Sequence, residues 1–542
     1  MLLIAPPGKG VKMVGDTRIW NHPTIKFERK KKVRFTFDGK EIVGYEGETV
    51  AAALYASGRR VFSRSIRYHR PRGYYCGVGR CASCMMRVDG VPNTRICTLP
   101  IREGMVVESQ NRFPSLDLDL LRIVDYLFPH GIDYHKMFIR PRFLRETYNR
   151  FIRRFAGIGK PPEPVKSFEP PEQGRRSAQL TVVGGGPAGL CAAVEAANSG
   201  VDVLLVDENP KLGGRLRREP QRIFQTNEKE EKTGSELLKE LLNQVEKAGG
   251  KEEGKGKILV MLNTTATGIY QNHGNKTLVL TTPENLVQVE TKTIVVATGS
   301  HDQPELFENN DLPGVMTSTA AQMLMNVYGV KPGERAVVLG INKDSLELGK
   351  QLLDAGVEIA CFVDQSQKRV SETEKKVFDE KNIPFYSSHK IKKVLGHNQV
   401  KKAVLAHLNE DGSESGEEEK IACDLVCLAL GRRPSCELTL QTGCKHRMVP
   451  ELGGFTPLRD KKFRTTVKGV YVAGGTAGIM DTAGAMLSGR VAGLSAATDL
   501  GIGGEKPLAK CEQFLKQFQD YYDNLDEETK VGIAKTTVEE VC

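Results

Sequence analysis

A chain of 542 residues with 27% charged and 39% hydrophobic side chains has room for about three or four domains and the composition of a globular protein, which excludes a fibrous or wholly disordered one. Its net charge of +10 is small for that length, and the basic runs at residues 29–32 and 140–154 have no stacking-aromatic module beside them, so no nucleic-acid partner is expected. No window holds about eighteen uninterrupted apolar residues and residues 1–7 are too short for a secretory core, so no integral membrane segment is expected and the cytoplasm is the predicted location.

Residues 1–30 read as an N-terminal arm. Residues 33–37 alternate like a strand, Asp38-Gly39 is a hairpin turn and residues 41–45 are the return strand. Residues 48–54 read as a helix and 85–90 as a further strand and turn. Residues 31–113 are therefore predicted to form a small β-grasp, ferredoxin-like domain. Within it Cys76, Cys81, Cys84 and Cys97 stand as C-x4-C-x2-C-x12-C. The first three have the spacing of a plant-type loop, in which thiolates converge on two irons from one tight turn. Gly77 and Gly79 lie where such a loop folds back to aim backbone N–H groups at sulfur. A [2Fe–2S] cluster is the expected occupant. A zinc site, which more often pairs two short C-x2–4-C hooks, and unrelated buried thiols are the alternatives. Several of the other eight cysteines, such as Cys191, Cys361, Cys423 and Cys427, sit in apolar runs and are expected as free buried thiols, while Cys436 and Cys444 flank a loop as an alternative pair.

Residues 114–178 read as a linker with some helix: 116–127 has helical periodicity, 134–155 is rich in Arg and aromatics, and Pro161, Pro162, Pro164, Pro170 and Pro171 are stiff connectors. Residues 179–183 then form an apolar strand running into Gly184-Gly185-Gly186-Pro187-Ala188-Gly189, an Ala-rich helix over 190–199 and a second buried strand over 201–206. In this βαβ context Gly184 turns the chain, Gly186 admits a pyrophosphate at the helix N-terminus and Gly189 lets helix and strand pack. Asp207 and Glu208 end the second strand as candidates for the ribose hydroxyls, Asp207 being the better fit by its distance from Gly213-Gly214. Arg215 is either a cofactor contact or a surface charge.

Residues 293–299 are a strand ending in Ala297-Thr298-Gly299. Residues 470–475 are a late strand ending in Gly474-Gly475, followed by a helix over 484–500. Gly475 stands where FAD enzymes of this class usually carry Asp, which counts against FAD as the occupant. A second Rossmann-like unit lies between, with a strand over 335–340 and a helix to 355. There Asn342 and Ser345 replace the second and third glycines, where their side chains obstruct pyrophosphate and helix packing, so the second site reads as a relic. Asp364 reads as a solvated strand end. Residues 512–524 are predicted as an amphipathic helix. The expected fold class is α/β, a two-dinucleotide-binding-domain, Rossmann-like body behind a β-grasp ferredoxin-like domain. The first dinucleotide-binding domain spans 179–311 and 421–500, the inserted one 312–420, and a helical tail 501–542.

The order CGVGRCASC, GGGPAG, VDEN…GG, ATGSHDQP…FENNDLPGVM and VYVAGG resembles the α subunit of amine-oxidising flavoprotein complexes: heterotetrameric sarcosine oxidase, dye-linked L-proline dehydrogenase, hydrogen cyanide synthase, and the opine and hydroxyproline dehydrogenases. The likeness covers residues 33–500 and is most specific over 297–316 and 328–335. It implies an electron-transfer α subunit in a hetero-oligomer. Its partner is an FAD-containing β subunit of the amino-acid oxidase type that oxidises a secondary amine or amino acid of the proline, hydroxyproline, sarcosine or opine type. A small ferredoxin-like subunit is an optional further partner. FMN is implied at the α–β boundary. The resemblance also implies FAD, NAD or ATP in the site of Gly184, Gly186 and Gly189, and a [2Fe–2S] cluster on the four cysteines that passes electrons to an acceptor. No catalytic acid, base or nucleophile is expected on this chain, and His301 is either near a flavin or a polar surface residue. The chain stops at Cys542 without length for a folate-binding domain, and its tail carries only Cys511 and Cys542, so electron export is favoured over folate-coupled oxidase chemistry. Two rival expectations are a self-sufficient NAD(P)H-dependent flavin and iron–sulfur reductase, and a non-catalytic nucleotide-binding scaffold or redox sensor.

Overall fold

The computed structural model describes residues 15–128, 143, 144, 146, 147, 174–223, 231–248, 256–272, 275–366 and 372–539. The Arg-rich stretch expected over 134–155 falls largely outside the described residues, and the proline connectors entirely so. The chain divides into two compact units, Met1–Val165 with Pro304–Leu430, and Lys166–Gln303 with Gly431–Cys542.

In the first unit, Lys32–Phe37 alternates in and out, with Val33, Phe35 and Phe37 buried, and pairs antiparallel with Lys40–Tyr45. Asp38 and Gly39 both take positive φ (48° and 77°), as a two-residue hairpin whose twist matches its strands requires. The five-stranded sheet runs Lys40–Tyr45, Lys32–Phe37, Val106–Glu108, Met85–Val88, Val91–Arg95, and the pairing of Lys32–Phe37 with Val106–Glu108 is parallel. The helix occupies Val50–Ala56, two residues later than expected, because the Thr49 side chain caps it by accepting from the Ala52 N–H. Glu48 serves another contact: it accepts from Nε and Nη2 of buried Arg18, both at 2.8 Å, which ties the N-terminal arm to the module.

Residues 304–430 of the same unit contribute a parallel sheet in the order Val315–Thr317, Leu425–Leu428, Arg335–Leu339, Glu358–Val363, Phe385–Tyr386, and an antiparallel meander His389–Leu395, Lys402–Leu408, Glu414–Ala422. One apolar core serves both parts. Phe35, Leu54, Cys84, Met86 and Cys97 share it with Met316, Leu324, Met325, Val338 and Leu348. The ferredoxin-like module and the inserted Rossmann-like unit are thus a single packed body, whereas the sequence reads as two separate modules. Arg64, also buried, bonds the His69 carbonyl and Asn398 Oδ1 (3.3 and 3.0 Å), and His69 Nδ1 lies 2.9 Å from Asp119 Oδ2. The helix expected over 116–127 is reduced to the 3-10 turn Leu120–Arg122 and the short helix Ile123–Leu127. Asp119 accounts for the late start, its carboxylate accepting from the N–H groups of Phe113 and Leu121.

In the second unit the parallel strands run Ile258–Met261, Val203–Val206, Gly174–Val183, Leu286–Val296, with Val470–Val472 paired to the last and an antiparallel pair, Asn275–Thr281 and Thr265–Asn272, beyond. Helix Thr482–Asp499 crosses helix Pro187–Asn198 at the closest range glycine allows. A Cβ on Gly489 would lie 2.1 Å from the Ala188 carbonyl oxygen and one on Gly493 2.3 Å from that of Ala192. The expected C-terminal tail is part of the core: helix Lys506–Asp523 buries Cys511, Phe514, Phe518 and Tyr521. After helix Glu527–Thr536 the chain returns, and the Val538 N–H donates to the Arg459 carbonyl. Gly489→Val should therefore cost at least ~2 kcal/mol and lower the melting temperature by several degrees in differential scanning fluorimetry. An unmoved transition would show that the two helices do not meet there.

Candidate functional site

The loop after the short strand Pro71–Arg72 carries three of the four cysteines, and the fourth follows strand Val91–Arg95. Gly77 and Gly79 take φ of 68° and 73°, which folds the intervening backbone over the thiols. The Gly79 N–H donates to Cys97 Sγ (3.2 Å) and the Cys81 N–H to Cys76 Sγ (3.4 Å). Backbone groups of Val78 also serve Cys76, those of Ser83 serve Cys81, and those of Ile96 and Cys97 serve Cys84. Cys76, Cys84 and Cys97 are buried; Cys81 is half-buried. The four thiols are close enough to shift one another's ionisation, Cys76 with Cys81 and Cys97, and Cys84 with Cys97. These neighbours pull the Cys76 and Cys84 thiols below the usual thiol range and push Cys81 and Cys97 above it. Among the described residues no three His, Cys, Asp or Glu side chains are grouped to hold a single ion. Thiols met by backbone N–H donors in this way are the environment of an iron–sulfur ligand loop.

In the second unit the glycine loop is held from beneath. Gly184 has φ 107°, and a Cβ there would meet the Ala297 carbonyl oxygen at 2.2 Å; a Cβ on Gly189 would lie 1.8 Å from the Gly184 carbonyl oxygen. Gly186 is the N-cap of helix Pro187–Asn198, and no side chain caps that end. The space in front of it is open: within 4 Å a Cβ would meet only the Cα of Gly214, at 3.9 Å. The other expected residues gather at this loop. Gly474, which accepts no side chain because its Cβ would touch that of Ala188 at 2.8 Å, donates its N–H to Ser488 Oγ. The Thr298 hydroxyl bonds the Ser435 carbonyl and Thr476 Oγ1, and the Gly299 N–H donates to Thr476 Oγ1 (2.9 Å). A Cβ on Gly475 would lie 3.1 Å from Ser300 Oγ, so the position is packed against the Gly299–Ser300 backbone turn.

Asp207, favoured for the ribose, is buried and also holds the loop: Oδ2 accepts from the Gly185 N–H (2.6 Å) and Oδ1 from the Asn209 N–H (2.7 Å). Glu208, the next residue, is the exposed acid at the strand end. Arg215 pairs with buried Glu219, which also accepts from the Thr482 hydroxyl (2.6 Å). Asp364 is not simply solvated: its Oδ2 accepts from the Ile341 N–H at 2.7 Å, repeating the Asp207 arrangement in the other Rossmann-like unit. His301 is half-buried, its Nδ1 3.3 Å from Ser435 Oγ. Thr476 and Ser488 belong to no fingerprint the sequence displays; the signal for Thr476 is its place directly after the Gly474-Gly475 pair.

At the second helix start, Asn342 and Ser345 do more than obstruct. Asn342 Oδ1 accepts from the Ser345 N–H (3.0 Å) and Ser345 Oγ accepts from the Asn342 N–H (2.9 Å), a reciprocal capping box, while Asn342 Nδ2 donates to the Ala429 carbonyl.

Residues 178–489 match the family model described as pyridine nucleotide-disulphide oxidoreductase, and residues 30–112 match that of a 2Fe-2S iron-sulfur cluster binding domain. The chain is 29% identical over 500 residues to the alpha subunit of sarcosine oxidase from Rhizobium meliloti (strain 1021), covering 88% of this chain and 47% of that protein. It is 33% identical over 335 residues to an opine oxidase subunit from Agrobacterium tumefaciens (strain Ach5), covering 59% of this chain and 65% of that one. It thus spans less than two thirds of the length of either relative. The crystal structure of L-proline dehydrogenase from P. horikoshii shares the fold, with a TM-score of 0.61 at 23% identity over 90% of this chain and 78% of that chain. Among the described residues no helix is long and apolar enough to cross a membrane. The chain belongs to the pyridine nucleotide-disulphide oxidoreductase family, with a domain of the 2Fe-2S iron-sulfur cluster binding type on its N-terminal side.

Proposed function

We propose that this chain is the electron-transfer α subunit of a multi-subunit, flavin-dependent dehydrogenase acting on a secondary amine or amino acid of the proline, hydroxyproline, sarcosine or opine type. The observation that carries the reading is the contrast between two helix starts. The one at Gly186 is uncapped with open space before it; the one at Asn342 is sealed by its own side chains. One nucleotide can be cradled, but a second that brings hydride and leaves again has no seat. Reducing equivalents then come from a partner. The relatives, named as subunits of sarcosine oxidase and of opine oxidase, support a β subunit that contains FAD and resembles amino-acid oxidases, with FMN at the boundary between the chains.

The thiols of Cys76, Cys81, Cys84 and Cys97 fit a [2Fe–2S] cluster. Such a cluster exchanges single electrons, where a flavin collects two as hydride. The chain's own contribution is electrostatic: the N–H groups of Gly79 and Cys81 point at sulfur and stabilise negative charge there. In the other unit, Gly186 and Gly214 leave room for a pyrophosphate at an uncapped helix N-terminus, with Asp207 or Glu208 as the acid for a ribose at the strand end. FAD, NAD and ATP all present those groups, and Gly475 offers no carboxylate to a ribityl chain. The described cysteines are all free thiols, in keeping with a reducing, cytoplasmic setting.

Proline oxidation assayed with an artificial dye should need the co-purified partner, and robust turnover by this chain alone would overturn the proposal, as would bleaching of a bound flavin by NADH. Gly186→Val should lose at least tenfold in nucleotide retained through purification, measured by mass spectrometry of the released cofactor, while far-UV circular dichroism stays that of the folded chain. Cys84→Ser should lower bound iron and cut electron delivery to the physiological acceptor at least tenfold more than delivery to the dye; equal losses would make the centre structural.

A further inference from the structure

The side chain of Tyr74 lies beneath the cysteine loop. Its ring is 1% exposed, meets Tyr55 edge to face at 5.9 Å, and ends in a buried hydroxyl with no hydrogen-bond partner among the described residues. Burying an unmet hydroxyl is costly, so native proteins rarely leave one unless a bound group completes it. This hydroxyl sits where the loop closes: a Cβ on Gly77 would lie 2.9 Å from it, and its electrostatic neighbours are Tyr328 and the thiols of Cys97, Cys76 and Cys84. The backbone N–H groups around the quartet are already directed at cysteine sulfurs. Tyr55 differs, since its hydroxyl donates to the Pro332 carbonyl.

We propose that the Tyr74 hydroxyl donates a hydrogen bond to a sulfur of the iron–sulfur centre held by Cys76, Cys81, Cys84 and Cys97, and so raises its midpoint potential. The inference rests on the reading that these cysteines hold a [2Fe–2S] cluster. Reduction adds one negative charge to such a centre, and a donor aimed at its sulfur favours the reduced form. Tyr74→Phe removes the oxygen and keeps the ring.

The test is an EPR-monitored redox titration of the purified full chain. Tyr74→Phe should load iron as the wild type does and shift the midpoint to more negative values, while Tyr55→Phe and Tyr328→Phe leave it in place. An unmoved midpoint in Tyr74→Phe overturns the inference. If Tyr74→Phe fails to hold iron, wild-type protein grown with 3-fluorotyrosine, a stronger donor, decides: its midpoint should shift to more positive values, and no shift overturns the inference. A wild-type chain with iron and sulfide absent from its preparation would instead overturn the cluster reading itself.

Discussion

An α-helix begins with backbone N–H groups that its own hydrogen bonds cannot reach, and the differences between the two Rossmann-like units come from how those groups are met. Both units keep the features that build the turn. The first glycine of each is pressed against a carbonyl of the neighbouring strand, Gly184 against Ala297 and Gly340 against Ala429, where a Cβ would come within 2.2 and 2.3 Å. In each an aspartate at the end of the second strand, Asp207 or Asp364, accepts from the loop N–H. They part only at the helix start. Asn342 and Ser345 satisfy it internally, whereas Gly186 leaves it to whatever binds in front. Two side chains thus separate an open helix start from a closed structural turn.

The cysteine loop obeys the same accounting with a different acceptor. Its N–H groups have no strand to pair with, because Gly77 and Gly79 turn the backbone inward, and they find sulfur instead. A thiolate accepts such bonds better than a thiol does, so the geometry that satisfies the backbone also favours the ionised ligand. The loop and its metal-binding chemistry are two sides of one requirement.

Much of this is legible in the sequence, because spacing is a local property. The cysteine quartet, the Gly184 to Gly189 fingerprint and the hairpin at Asp38-Gly39 each declare themselves within a few residues. What is not legible depends on partners far apart in the chain. Asp207 reads as a candidate ribose ligand, and its bond to Gly185, 22 positions away, is not visible in the spacing. Residues 512–524 read as an amphipathic helix, but what its apolar face meets is not legible: Phe514, Phe518 and Tyr521 of helix Lys506–Asp523 enter the core of the second unit. The replacement of glycine by Asn342 and Ser345 can be read as loss of a site, but their reciprocal bonding cannot, since it depends on an extended Asn342 backbone that brings the two side chains together. The apolar residues 116–127 have helical spacing, yet Asp119 starts the helix late and leaves Leu118, Leu120 and Ile123 exposed.

The core shared by the ferredoxin-like module and residues 304–430 bears on the order in which the molecule is made. Cys84 and Cys97 are buried with Met316, Leu324 and Met325, which leave the ribosome roughly two hundred residues after the last of the four cysteines. A nascent chain at that stage has its thiols but not the wall that shields them. The core around the thiol loop is therefore complete only once the distal half has been made, and a fragment ending near residue 113 would lack the side chains that Met316, Leu324 and Met325 contribute to it.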